Sequence, residues 1–197
     1  TNLSVMGLLS RGGKVTEGKV LFEDRDLLAM SEKELDKIRG DRMTMIFQDP
    51  LTSLNPVFTV GNQIMESLQI HRGLSRNEAG IQAEELLSKV GMPDAKGTMK
   101  KYPHTLSGGM RQRAMIAMGI IAGADMILAD EPTGNIDPEL SYEIVELLTE
   151  INKVGTTIVM VTHEHDLVAQ FDHRIIRLEK GRLVADTGKI GGHNGRK

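Results

Sequence analysis

Short, almost wholly apolar runs alternate along this chain with longer segments that open on a helix-capping residue. RMTMIFQ (42–48) reads as a buried strand. DMILAD (125–130) and TTIVMVT (156–162) are fully apolar between polar breakers, as expected of strands covered on both faces. GKVLFED (18–24) reads as a further strand. The capped segments read as helices. Ser31 and Glu34 form a capping box for SEKELDKIRG, and Ser75 and Glu78 form another before AGIQAEELLSKV. Gly91 stops that second helix, with Pro93 beyond it. Thr59 caps VGNQIMESLQIH, and a third helix of this block runs over 108–121. Asp137 and Pro138 open another helix as N-cap and first residue, through about Lys153. HEHDLVAQF is a short helix, and RIIRLEKGRLVADTG is a hairpin turning at Lys180-Gly181.

Strand and helix in alternation predict an α/β fold with a parallel sheet. The all-helical block interrupts it. The expected division is a core formed by 1–57 and 122–187, a helical subdomain over 58–121, and a flexible, polar and Gly-rich tail at 188–197. TNLSVMGLLSR, at the very start, reads as the inside of a helix whose beginning is absent.

With 197 residues the chain is long enough for one ordinary core. A net charge of -3 gives no support to a general nucleic-acid binder. The absence of cysteine removes disulfides, thiolate metal sites and a cysteine nucleophile. Twelve methionines fill the core where aromatics are scarce. The longest apolar candidate for a membrane span, MIAMGIIAGADMILA, is too short and is broken by Asp125.

Candidate chemistry sits where strands end and where one helix begins. TLSGGMRQR (105–113) places Ser107, Gly108 and Gly109 at a helix start, where unpaired N–H groups suit a phosphate. Arg111 and Arg113 add positive charge there, against the usual helix preference, unless a polyanion compensates. The alternative is a plain N-cap with surface arginines. MILADEPTGNID ends a strand in Asp130 and Glu131, at the sheet end where ligands gather. One such carboxylate can hold Mg²⁺ and the other can activate water, although an acidic turn is equally common. His163 ends the next strand and could reach a γ-phosphate or position the water. Gln48 ends the strand before, and its amide could contact Mg²⁺ or water.

Taken in order, Gln48, LSGG, Asp130-Glu131 and His163 resemble the ATP-binding-cassette (ABC) ATPases over nearly the whole chain. LSGGMRQR looks like the family signature, with Met110 where many members have Gln. MILADE looks like the Walker B strand, IFQDP like the Q-loop and GNID, closing on Asp137, like the D-loop. The resemblance implies a P-loop NTPase-like sheet, ATP and Mg²⁺ as ligands, Asp130 and Gln48 toward the metal, and Glu131 as general base. His163 and Gln48 would sense the γ-phosphate. Ser107, Gly108 and Gly109, with Asp137, would face ATP held by a second cassette. Membrane permease subunits would be the other partners, at the cytoplasmic face of the membrane, with no nucleic acid. QDPLTSLNPVFTVGNQIMESL is similar to the dipeptide/oligopeptide importer branch, whereas ADEPTGNID is more like the lipoprotein-release or cell-division branch.

The family also carries a phosphate loop, G-x-x-x-x-G-K-[ST]. The nearest match, GKVTEGKV (13–20), has Val20 in place of the hydroxyl and leads into LFED, so it reads as a turn entering a strand. The chain is expected to begin just past that loop, as a family member without its own ATP cradle. The alternative to an ATPase subunit is therefore a non-catalytic module that supplies LSGG to a partner. A sheet missing its expected neighbours leaves apolar faces bare, so the chain alone is expected to be poorly stable. Calorimetry should give a broad, low-temperature melt, and a cooperative transition at an ordinary mesophilic temperature would contradict this.

Overall fold

The computed structural model describes residues 2–9, 13, 15–48, 53–121, 123–134 and 136–188. The chain divides into two compact units, Thr1–His163 and Glu164–Lys197. In the first, α1 (Asn2–Val5) precedes a hairpin of β1 (Leu21–Phe22) and β2 (Arg25–Asp26), then α2 (Glu32–Ile38) and β3 (Met43–Ile46). Helices α3 (Val60–Arg72), α4 (Arg76–Lys89), α5 (Ala95–Thr98) and α6 (Gly108–Ile121) follow. The unit closes with β4 (Met126–Asp130), α7 (Pro138–Lys153) and β5 (Thr157–Val161). The second unit holds α8 (His165–Val168), β6 (Ile176–Glu179) and β7 (Arg182–Asp186).

The three longer strands of the first unit form a parallel sheet in the order β3-β4-β5. Ile46 pairs with Ala129 and Ala129 with Met160, so the strands stand level at their carboxyl ends. The pleat sends alternate residues to opposite faces. Ile46, Ile127 and Ala129 join Ile64, Leu68, Leu87, Ile116 and Ile144 in the larger core. Met43 and Leu128 face the other way, onto Met6, Leu27 and Leu35. α1 is pinned at this sheet by buried Asn2, whose amide donates to the Ala129 carbonyl at 3.1 Å.

The caps lie where the sequence puts them. Thr59 Oγ1 accepts the Asn62 N–H at 3.3 Å, and Asp137 Oδ1 accepts that of Leu140 at 2.9 Å. Glu34 takes the Ser31 N–H and hydroxyl at 2.9 and 2.8 Å. Glu78 does the same with Ser75, at 2.9 and 2.6 Å. In the second unit the hairpin turns at Lys180 (φ 47°) and Gly181 (φ 76°). Arg174 grips both Asp186 oxygens, at 2.9 and 2.7 Å, and holds that carboxyl down at about 2.

Two expectations need correction. GKVLFED is not one strand: Glu23 (φ 50°) and Asp24 (φ 60°) fold it into the β1–β2 hairpin. Positive φ at two non-glycine residues carries no ordinary turn signature, which is why the bend is illegible in the sequence. β5 is apolar but not covered on both faces. Ile158 and Met160 reach the larger core, while Val159, beside Leu128 on the other face, is 42% exposed. The short helix expected at HEHDLVAQF is the single turn of α8. Part of the DPLTSLNP loop (49–52) and all but the first residue of the tail expected to be flexible (189–197) lie outside the described residues. Among the described residues no helix is long and apolar enough to cross a membrane.

The capping boxes make the helices acid-sensitive in a defined direction. Hydrogen bonds from the Ser75 hydroxyl and backbone hold the Glu78 carboxyl below its ordinary 4.5. A lowered folded value stabilises α4 fully above that ordinary value and loses the contribution as pH falls through the folded one. Glu78→Gln should flatten the corresponding part of the acid limb in a helicity-against-pH titration by circular dichroism. An unchanged limb would mean the box contributes nothing to this dependence.

Candidate functional site

Gln48 lies two residues past β3, Glu131 directly after β4 and His163 two residues past β5. The level register of three adjacent parallel strands delivers all three side chains to one edge of the sheet. Gln48 Nε2 donates to Glu131 Oε2 at 2.6 Å. His163 Nδ1 lies 3.2 Å from Glu131 Oε1. Each carboxylate oxygen thus has one side-chain partner, which orients it. The Glu131 side chain is 27% exposed and that of His163 73%, so water reaches both. Residues far apart in sequence meet here only because the strands between them are parallel and adjacent.

The backbone at Glu131 is unusual. Its φ is +47°, the left-handed region, in a residue with a full side chain. Such a conformation costs on the order of 1–3 kcal/mol and persists where surrounding bonds over-determine it. Here the Glu131 N–H donates to the Val161 carbonyl at 2.8 Å and its carbonyl accepts from Gly134 at 3.0 Å. Pro132 and Thr133, just beyond, are buried. The amide of Gln112, from α6, donates to the Pro132 carbonyl.

Asp130, the half-buried last residue of β4, is adjacent to this turn. Among the described residues no group of three or more His, Asp or Glu side chains could hold a metal ion by itself. Asp130 and Gln48 supply hard oxygen donors, too few to cage an ion. An oxygen-donor pair of this kind matches the chemistry of Mg²⁺, which keeps several waters and draws its remaining ligands from substrate phosphates.

The helix start forms the second part. Ser107 caps α6: its hydroxyl accepts the Met110 N–H at 3.3 Å and its carbonyl that of Arg111 at 3.0 Å. Ser107 and Gly108 are exposed. The two glycines differ in kind. A Cβ on Gly108 would meet nothing within 4 Å, the open surface a ligand needs. A Cβ on Gly109 would stand 2.3 Å from Leu140 Cδ2, so Gly109 lets α6 and α7 approach. Arg113 does not add free charge to this helix start. It donates to the Val90 carbonyl at 2.6 Å and pairs with Glu143, clamping the end of α4 and the side of α7. Gly91 (φ 71°) makes room for it, since a Cβ there would lie 2.4 Å from Arg113 Nη1. Asp137 spends one oxygen on the cap of α7.

The stretch nearest to a phosphate loop behaves as a turn entering a strand. Gly18 has φ 101°, the Val20 N–H donates to Asp26 Oδ1 at 3.2 Å, and Val20 accepts from Leu27 at 2.8 Å. Those bonds close the base of the β1–β2 hairpin. Lys14 lies outside the described residues.

Sequence reasoning passed over Gln112, Asn2 and Gln63, all buried and polar. Gln63 knits the loop before α3, accepting from Asn55 N–H at 2.9 Å and donating to the Asn55 and Phe58 carbonyls at 3.0 and 3.1 Å. The available signal was a glutamine on the inward stripe of a helix, as Gln112 shares its stripe with Met115 and Ile116.

Solved structures of similar shape are ATP-binding cassettes. The cassette MJ0796, a dimer in a post-hydrolysis state bound to ADP and Pi, gives a TM-score of 0.80 at 31% identity, over 94% of this chain and 77% of that one. The cassette cbiO1 of Clostridium perfringens, part of the transporter complex cbiONQ, gives 0.78 at 25% identity, over 93% of this chain and 69% of that one. The fold is thus that of an ABC ATPase cassette, an α/β core of the P-loop NTPase type. The sequence profile of the ABC transporter family matches residues 4–134, and the chain belongs to that family. The oligopeptide transport ATP-binding protein AppD of Bacillus subtilis is 44% identical over 189 residues, 95% of this chain and 58% of that protein. The dipeptide transport ATP-binding protein DppD of Escherichia coli is 43% identical over 189 residues, again 95% and 58%. The chain therefore spans less than two thirds of the length of these relatives.

The two glycines give a direct test of packing against ligand access. Gly109→Ala should cost about 1–3 kcal/mol in a denaturant melt, the usual penalty of overpacking. Gly108→Ala should be neutral or slightly stabilising, by up to about 1 kcal/mol. Equal effects of the two substitutions would remove the distinction.

Proposed function

We propose that the chain is the ATP-hydrolysing subunit of an ABC transporter for peptide uptake. It pairs with a second cassette and sits on membrane permease subunits at the cytoplasmic face, with no nucleic-acid partner. The observation that carries this reading is the convergence of Gln48 and His163 on the Glu131 carboxylate, at 2.6 and 3.2 Å. The peptide class is supported by AppD and DppD, whose names specify oligopeptide and dipeptide transport.

In this reading Glu131 is the general base. Its carboxylate takes a proton from a water that attacks the γ-phosphorus of ATP, releasing ADP and phosphate. Gln48 and His163 hold the two carboxylate oxygens and so orient the base, and both would respond to the γ-phosphate. Asp130 and Gln48 are the side chains that would hold Mg²⁺. Mg²⁺, when bound, neutralises charge on the phosphate oxygens. Ser107, Gly108 and Gly109 present backbone N–H groups at the α6 start to ATP held by the partner cassette, with Asp137 beside that boundary. The division of labour follows the domains: 1–57 and 122–187 form the hydrolytic core, and 58–121 the helical subdomain that ends in the LSGG signature.

A second reading has one observation in its favour. Gly18–Val20 lead into the β1–β2 hairpin and not into a helix, so this stretch offers no cradle for phosphate. A module that supplies LSGG to a partner but binds no ATP itself would have this feature. Calorimetric titration of the full-length protein with Mg-ATP separates the two, since an ATPase subunit binds the nucleotide and a module that only supplies LSGG does not. In the full-length protein, Glu131→Gln should lower turnover by about 10²–10⁴-fold, the range for a general base, while nucleotide binding persists. Undiminished hydrolysis would take Glu131 out of that role.

A further inference from the structure

We propose that Gln112 is a positioning residue for Glu131, tying the helix that opens at Ser107 to the strained turn that carries the base. The proposal rests on the hydrolytic reading above. Gln112 is 2% exposed and lies on the inward stripe of α6 with Met115 and Ile116. A glutamine there costs burial free energy unless its amide is bonded. Its Nε2 donates to the carbonyl of Pro132, the residue after Glu131.

That bond bears on a conformation that would otherwise relax. A residue before proline ordinarily takes an extended backbone with negative φ. Glu131 stands before Pro132 with φ +47°. Its own N–H and carbonyl are held by Val161 and Gly134 at 2.8 and 3.0 Å. Both of those partners belong to the sheet end and to the turn itself. Gln112 supplies the tie from outside, onto the next carbonyl along. Proline has no N–H, so this carbonyl is the one strong backbone group through which Pro132 can be held. The same helix carries the exposed Ser107 and Gly108 at its start. One helix therefore links the phosphate-facing N–H groups to the turn that aims the carboxylate. A shift of α6 on engaging a partner's nucleotide would be felt at Glu131 of the same chain.

The test uses Gln112→Met in the full-length protein, which keeps the volume and removes the donor. Amide hydrogen exchange at Glu131 and Gly134 should quicken about tenfold, the scale of one lost buried hydrogen bond. The kcat for ATP should fall about tenfold with KM within about twofold, since the bond orients the base and does not bind substrate. Gln112→Asn, too short to reach Pro132, should give the same pattern and serves if the methionine variant does not fold. Unchanged exchange at those two amides, or exchange that quickens equally throughout the protein, would overturn the proposal. So would a wild-type kcat in a protein where Glu131→Gln is inactive. An active Glu131→Gln would instead bring down the hydrolytic reading itself, while the exchange measurement still reports whether the tie to Pro132 holds the turn.

Discussion

The level parallel register of β3, β4 and β5 is the constraint on which the site depends. A parallel sheet places every carboxyl end on the same edge. Gln48, Glu131 and His163 are separated by long stretches of chain, yet each follows its strand by one or two residues. A slip of one residue in either pairing would turn the buried side chains to the wrong face and separate these three groups. The cores on the two faces of the sheet, one on Ile46 and Ala129 and the other on Met43 and Leu128, hold that register. Core packing and site geometry are in this sense one requirement.

Around that edge the chain concentrates its exceptions. Glu131 takes a left-handed backbone before a proline, and the buried amides of Asn2 and Gln112 donate to the Ala129 and Pro132 carbonyls on either side of it. Elsewhere the helices follow ordinary rules of capping, with the positive-φ bend at Glu23 and Asp24 a separate exception. Local cost gathered near one edge of an otherwise regular fold is the usual mark of a site whose geometry is held against its own relaxation.

The positive charge at the start of α6 resolves differently from its appearance in the sequence. Arg113 reaches sideways to the Val90 carbonyl and to Glu143 and so joins α4, α6 and α7. The helix start keeps its N–H groups, the cap of Ser107 and the open side of Gly108. Of the two arginines, Arg113 is thus committed to the fold, and the backbone N–H groups of the helix start stand beside Arg111. An arginine pattern along a helix cannot reveal this, since long side chains turn toward whichever partner the fold supplies.

Much of this protein was legible in the chain itself. Capping residues and short apolar runs located the helices and the three main strands, because caps and burial patterns are local properties written in local residues. The order of Gln48, LSGG, Asp130-Glu131 and His163 indicated the family for the same reason. Other features arose only in three dimensions. The β1–β2 bend depends on positive φ at Glu23 and Asp24, and the exposure of Val159 on what lies beside that face. The strain at Glu131, the tie from Gln112 and the separate tasks of Gly108 and Gly109 depend on which distant atoms come near. A sequence specifies its neighbours along the chain directly, but contacts across it exist only once the parallel register has closed.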